Sequence, residues 1–532
     1  MFTLSAMDMG YYQFVNPNYV FKFSALAEPG YLATFVIIMA ATFAGRFFWW
    51  AFISLVFVIS IFQLVNFEYF GSYILPINFI QLLPDFWLIT SSLFEAGREM
   101  LPVLAISVVG LVMLLVVLVP LSRRRIVNKR AALVVLILLG SDFLGNYLFI
   151  QTNKEKLGEP SYLTLFPNIN RLGIENAYRS ARYLTVGILP DRLSGKTPDY
   201  PALPAPAILQ QPDVNIVIIM NETVRAASLS VLGYELPTTP YLDQLKGAFA
   251  ASVYSAGTMT RTSWAGFVNR LKYPGIGKQF LSQSNCLFRL AAQNGFKTHF
   301  IYAANREVAD TLLPFMCSKY IDAIQVSTDA PQGLQEFDRS LAYHIENIDL
   351  EQPNFIFIGM SGAHSPYAEK SPAEFKIFQR EYDNAIYYSH HVVGELIERL
   401  RKSSKPTYVL YTSDHGELLK GEADKRGHGW FNNHVFNVPF IFLPINVAAS
   451  SKIMANVERV QSHFDMATLA VQLMGYDVAV DRETNKEIFV NGSDLSGLAG
   501  SLRLHFQEGK LQEVELINGT GAGPSLEEVV IR

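Results

Sequence analysis

Charge is scarce in this 532-residue chain, and cysteine nearly absent. Only 17% of the residues are charged, half are hydrophobic, and the formal net charge is −4. The apolar excess is too large for a typical soluble enzyme. The missing basic excess argues against nucleic acid as a partner. Two cysteines, Cys286 and Cys317, allow one disulfide at most. There is no internal repeat and no low-complexity tract. The first residues lack a charged n-region and a cleavage site, so no cleavable signal peptide is expected.

What is present is long apolar sequence, concentrated in the first 152 residues. Residues 29–67 carry one charge, Arg46, and have the length of two membrane helices turning near it. Leu101–Ser122 is an uncharged run of spanning length, and Ala131–Thr152 is another with Asp142 as its only charge. Between those two runs, residues 122–130 hold five basic side chains, which marks a cytoplasmic loop. Everything beyond Gln151 is then expected outside the cytoplasm. Residues 1–28 fit either a fifth, weaker helix or an outer-face segment. Phe86–Glu99 reads as a helix lying at the membrane surface.

The expected organisation is a transmembrane helical domain over 1–152, a juxtamembrane region and Pro-rich linker over 153–212, and a second domain over 213–532. Residues 189–212 carry six prolines, the composition of an extended linker. The second domain alternates short apolar runs with helical patterns. Expected strands are Val214–Met220, Thr298–Tyr302, Phe355–Ile358, Thr407–Thr412 and Pro439–Leu443. Asp383–Lys402 has apolar residues at helical spacing. This alternation predicts an α/β domain with a mainly parallel sheet and helices on both faces. In an extracytoplasmic domain, a Cys286–Cys317 disulfide is favoured over two buried thiols.

Three of those strands run into metal-binding residue types. The first leads to Glu222, the third to His364, and the fourth to Asp414 and His415. Parallel strands bring such ends to one edge, where ligands of open α/β sheets bind. Carboxylate oxygens and imidazole nitrogens are zinc ligands, and Gly427-His428-Gly429 adds another imidazole. Such a set suits one or two metal ions acting on a phosphoryl or sulfuryl group. The nucleophile is expected in Ser255–Ser263, where Thr258, Thr260, Thr262 and Ser263 all compete on chemistry alone.

Several of these segments together resemble bacterial phosphoethanolamine transferases, a membrane-anchored family of the alkaline phosphatase and sulfatase superfamily. They are Asn221–Pro240, Ser255–Thr262, Gly362–Pro366, Ser413–Glu417 and Gly427–Gly429. Phe94-Glu95-Ala96 resembles the family's outer-face segment. The resemblance implies an alkaline phosphatase/sulfatase-like fold and a zinc site of Glu222, Thr260, Asp414 and His415, with Thr260 as nucleophile. It implies that His364 and His428 bind phosphate or a second zinc; Ser91 and Glu95 read either as contacts to a lipid donor or as part of an exposed amphipathic surface. The implied reaction moves phosphoethanolamine from phosphatidylethanolamine, through a phospho-threonine, to an envelope lipid or glycan such as lipopolysaccharide. The implied setting is the bacterial inner membrane, with the catalytic domain in the periplasm. The chain departs from the family at Ala256, where a cysteine is usual, and over Ser263–Phe267.

The rival readings are a phosphoglycerol transferase using phosphatidylglycerol and a degenerate, non-catalytic membrane protein. A sulfatase is disfavoured, since no Cys/Ser-x-Pro-x-Arg pattern lies near Thr260. His390 and His391 read as core or helix-surface residues, and His434 is open between site and scaffold. His463 and Asp465 precede a helical run and read as capping residues.

Overall fold

The computed structural model describes Tyr200, residues 203–274, 283–335, 338–419, 421–422, 427–481, 486–492, 500–507 and 510–517, Val529, and scattered positions between Trp50 and Leu144. The chain divides into two compact units, Met1–Thr197 and Pro198–Arg532. In the first unit, Leu55, Val109, Val116, Ile137 and Leu144 are helical and exposed. Among the described residues no helix is long and apolar enough to cross a membrane. The four expected spans fall largely, and the surface segment 86–99 and the region 153–190 wholly, outside the described residues.

The second unit is built on a seven-stranded sheet ordered β2-β7-β6-β1-β5-β3-β4. Its strands are β1 (Asn215–Asn221), β2 (Phe249–Tyr254), β3 (Lys297–Tyr302), β4 (Ala323–Val326), β5 (Asn354–Gly359), β6 (Thr407–Ser413) and β7 (Asn437–Ile445). β1 pairs in parallel with β5 and β6, and β3 pairs in parallel with β4 and β5. β7 runs antiparallel to β6 and β2. The central strands are fully buried, which is why they read as continuous apolar runs rather than alternating ones.

Two sets of helices cover the faces. On β5, successive side chains point to opposite sides. Ile356 and Ile358 join the core formed with α3 (Arg339–Glu346) and α4 (Glu381–Leu400). Phe357 meets Trp264 of α1 (Thr260–Val268) at 5.2 Å between ring centroids. Phe355 meets Phe288 of α2 (Leu287–Gln293) at 5.1 Å. Trp264, Phe288, Phe355 and Phe357 are fully buried, and burying such a side chain is worth roughly 1.5–3 kcal/mol each. α1 is therefore bolted to the sheet by its apolar face, which fixes its N-terminus beside the strand ends.

A smaller antiparallel sheet of β8 (Glu487–Asn491), β9 (Ser501–Gln507) and β10 (Lys510–Ile517) packs Ile488, Val490, Leu502 and Leu504 with Tyr254 and Phe436. Cys286 and Cys317 are bonded, with their Cα atoms 6.7 Å apart, as the extracytoplasmic reading favours. The Pro-rich segment is tied down before β1 begins. Leu209 and Gln210 donate backbone N–H groups to Gly475 O, and Asp477 N–H bonds to Ala207 O.

Candidate active site

The parallel register of β1 and β6 explains the centre of the site. Asn221 pairs with Ser413, so the next residues on each strand, Glu222 and Asp414, emerge side by side. His415 follows directly. Glu222, Asp414 and His415 are all buried, and one ligand atom from each lies within 4.8 Å of the others.

Each group is held from behind. Asp414 Oδ1 accepts from Thr223 N–H at 2.9 Å and from His415 N–H at 2.7 Å. His415 Nδ1–H donates to Gly416 O at 2.9 Å, which leaves the Nε2 lone pair facing the carboxylates. His415 Nε2 lies 3.7 Å from Glu222 Oε1 and 3.4 Å from Asp414 Oδ2. The turn after Glu222 has Thr223 at a φ of 63°, a left-handed conformation that costs energy for a β-branched residue. Tyr382 of α4 secures that turn by donating its hydroxyl to Thr223 O at 2.7 Å. Gly362 is required close by, because a Cβ there would lie 2.5 Å from Glu222 O.

The structure separates the four competing hydroxyls. Thr260 opens α1 and is half-buried, whereas Thr258, Thr262 and Ser263 are fully buried. Thr260 Oγ1 donates to Glu222 Oε1 at 2.9 Å and lies 3.3 Å from His415 Nε2. Thr262 is committed to Met259 O, and Ser263 to Asp414 O. Thr260 is thus the hydroxyl of the four that combines contact with the cluster and access from outside. Ala256 packs where a glycine makes room, since a Cβ on Gly266 would sit 2.6 Å from its own Cβ.

His428 stands over this cluster, its ring centroid 4.4 Å from that of His415 and 5.6 Å from that of His364. Its Nδ1 lies 3.3 Å from Glu417 Oε2, a carboxylate that is 1% exposed. The segment that carries Glu417 is tethered to the turn after β1. Arg225 makes two bonds to Glu422, at 2.6 and 2.9 Å, and a third to Ser228 Oγ.

The electrostatics are those of a cation site. Burial pushes the Glu222 carboxyl well above its usual range, and the neighbouring Asp414 pushes it further. Burial also raises Asp414, against the two backbone N–H bonds it accepts. His415 is driven well below the usual imidazole range by burial, then by His428. Among the described residues neither carboxylate pairs with lysine or arginine. Asp414 Oδ2 is buried without a hydrogen-bond partner, a loss of about 1–3 kcal/mol for a neutral group and more for a charged one. Two carboxylates, one imidazole with its lone pair free, and a hydroxyl form an oxygen-and-nitrogen donor set that fits Zn²⁺.

Glu222, Thr260, Asp414, His415, His364 and His428 therefore come together, while Ser91 and Glu95 lie outside the described residues. His434 is half-buried, its pKa lowered by burial and then by Arg225. His390 is buried in α4 and His391 lies on its exposed side. The capping reading holds for Asp465 and not for His463. Ser462 is the N-cap of α5 (His463–Leu473) and exchanges bonds with Asp465. His463 instead turns its ring into the interior, where Ala256 N–H, Ser263 and Thr412 surround it. Asn491 was also missed. It bonds Ala256 O twice and receives Thr258 N–H. No local pattern marks either residue, because their partners lie on remote strands and loops.

Residues 214–476 match the Sulfatase family. Over 237 residues the chain is 24% identical to phosphoethanolamine transferase EptA of Helicobacter pylori, covering 39% of this chain and 43% of that protein. It is 26% identical over 240 residues to the Kdo(2)-lipid A phosphoethanolamine 7''-transferase of Salmonella typhimurium, covering 40% and 41%. The matched region is thus about two-fifths of the length of these curated relatives. Among solved structures, the integral membrane protein lipooligosaccharide phosphoethanolamine transferase A of Neisseria meningitidis aligns over 91% of this chain and 96% of its own, at 16% identity and a TM-score of 0.46. The family match and the strand-end site fall on the same stretch of chain, residues 214–476.

Proposed function

We propose that this chain is a zinc-dependent phosphoethanolamine transferase of a bacterial inner membrane, with its catalytic domain in the periplasm. The donor is phosphatidylethanolamine and the acceptor an envelope lipid or glycan such as lipopolysaccharide. The observation that carries this reading is the half-buried Thr260 hydroxyl, 2.9 Å from Glu222 Oε1 and 3.3 Å from His415 Nε2 at the head of α1. The curated relatives named as phosphoethanolamine transferases support phosphoethanolamine as the group transferred. The apolar runs of the first 152 residues give the membrane setting, and the Cys286–Cys317 bond suits an oxidising compartment.

Glu222, Asp414, His415 and Thr260 would hold the zinc ion. When bound, it supplies a Lewis acid that lowers the pKa of the Thr260 hydroxyl and offsets phosphoryl charge. In the first half-reaction Thr260 Oγ1 passes its proton to Glu222 Oε1, the carboxylate it already donates to, and attacks the donor phosphorus. An Oγ1–P bond forms, the P–O bond to diacylglycerol breaks, and the departing oxygen takes a proton. His364 and His428, whose rings stand beside His415, would meet the phosphoryl group and supply that proton, with Glu417 orienting His428 through Nδ1. The amides at the N-terminus of α1 favour the added negative charge. In the second half-reaction an acceptor oxygen attacks the same phosphorus and loses its proton to the histidines, the Oγ1–P bond breaks, and Thr260 Oγ1 takes its proton back from Glu222.

Incubating the full-length protein with head-group-labelled phosphatidylethanolamine and, separately, phosphatidylglycerol tests the donor. The reading expects label transfer from the first. Transfer from phosphatidylglycerol alone would replace it with a phosphoglycerol transferase, and transfer from neither would favour a degenerate domain.

A further inference from the structure

One buried ring joins the three segments on which the Thr260 geometry depends. His463 is fully buried and packs edge-on against Phe267 of α1, with ring centroids 5.3 Å apart. Its Nδ1 accepts from Ala256 N–H at 3.1 Å, in the loop that leads into α1. The same atom lies 3.2 Å from Ser263 Oγ, in the first turn of α1. Ser263 Oγ spends its proton on Asp414 O at 2.5 Å. On the other side Nε2 lies 3.2 Å from Thr412 Oγ1 on β6, so Nε2–H is the donor there. Burial keeps the imidazole neutral, with its pKa lowered to about 3.

Thr260 lies between Ala256 and Ser263, and Asp414 lies two residues beyond Thr412. Other anchors of the loop include Ser255, which donates its N–H to Phe436 O, Asn491, which takes Thr258 N–H and donates to Ala256 O, and Gly429, which donates to Thr258 O. Those contacts fix the loop to neighbouring segments and to β8. His463 ties it to β6 itself, the strand that runs into Asp414 and His415, beside the direct bond from Ser263 Oγ to Asp414 O.

We propose that His463 is a positioning residue for the Thr260 hydroxyl, its Nδ1 setting the loop and first turn of α1 in register with the end of β6. This rests on the reading of Thr260 as nucleophile. Reactions of this kind lose about 100-fold for a misplacement of about 1 Å, so a ring that never touches substrate can govern the rate.

Asparagine carries its amide oxygen near the position of Nδ1, whereas glutamine reaches the position of Nε2. The full-length variants His463→Asn and His463→Gln are therefore compared in the single-turnover rate at which phosphatidylethanolamine labels Thr260. Melting temperature, zinc content and the half-saturating lipid concentration are measured on the same samples. The expected result is an Asn variant within about tenfold of wild type and a Gln variant slower by about 100-fold. Zinc content and half-saturation are expected to be alike in the two variants. Equal labelling rates in the two variants, or rates that simply follow their melting temperatures, would overturn the positioning role while Thr260 stands as nucleophile. A wild-type label found on another residue would remove both readings.

Discussion

Thr260 Oγ1 hydrogen-bonds Glu222 Oε1 at 2.9 Å across 38 residues of chain. The contact joins the end of the central strand to the first turn of a helix that packs on the opposite side of β5 from α4. It exists because Trp264 and Phe267 bury that helix against Phe357, so the tip of α1 has one place to go. The hydroxyl is left half-buried while the groups it touches are buried, the arrangement expected of a nucleophile approached from outside.

Removing that hydroxyl is expected to end the chemistry without unfolding the site. Thr260→Ala should lower transfer by on the order of 10⁴-fold or more, with the melting temperature near that of wild type. Thr262→Ala, which removes a bond to Met259 O, should cost far less. Comparing both variants in one transfer assay checks this, and equal losses would contradict it.

Asp414→Asn removes one charge from the donor set and leaves the shape nearly unchanged. Because Asp414 Oδ2 is buried and without a hydrogen-bond partner, the variant should bind zinc at least about 100-fold more weakly. Removing even a group behind a ligand costs about 10–100-fold. Elemental analysis after dialysis against graded chelator reads the difference. Zinc retention equal to wild type would place the metal elsewhere.

Gly266→Ala tests the close contact beneath the nucleophile loop. The added Cβ would meet Ala256 Cβ at 2.6 Å, an overpacking worth about 1–3 kcal/mol. Denaturant unfolding should register the loss, and transfer should fall more than stability alone explains, because Ala256 leads into Thr260. An unchanged unfolding midpoint would mean that the contact relaxes freely.

Stability should also depend on pH through a residue that takes no part in the proposed chemistry. His390 is fully buried, and burial lowers its pKa from 6.5 to about 4. The unfolded chain therefore binds a proton that the folded chain refuses between these values. The stabilisation is complete above the unfolded pKa and is lost as pH falls toward the folded one. Between pH 7 and pH 5 the loss from this residue is about 2 kcal/mol. The fall in stability across that window, read from melting curves, should be smaller in His390→Leu by about that amount, with the remainder carried by buried His463 and His415, and an unchanged fall would contradict the assignment.

The strand ends that build the site were legible because β1, β5 and β6 are buried on both faces. Their sequences are unbroken apolar runs, and the change to Glu222, His364 and Asp414 stands out against them. The partners of those residues were not legible. β2 is only partly buried along its first four residues, and β10 is largely exposed or half-exposed, so neither gives a clean strand signal. Thr260 could not be told from Thr258 or Thr262 by chemistry alone, since burial and direction distinguish them. His463 read as a cap because it begins a helix, yet its partners Ala256 and Thr412 lie 207 and 51 residues away.

The central claim is that Thr260 carries the transferred group. The direct measurement is peptide mass spectrometry of the full-length, zinc-loaded protein, quenched shortly after mixing with phosphatidylethanolamine and without acceptor. The account predicts a phosphoethanolamine mass on the peptide containing Thr260, absent in Thr260→Ala and absent after chelation. An unmodified Thr260 in a protein that still transfers the group, or the same mass on Thr258, Thr262 or Ser263, would contradict it.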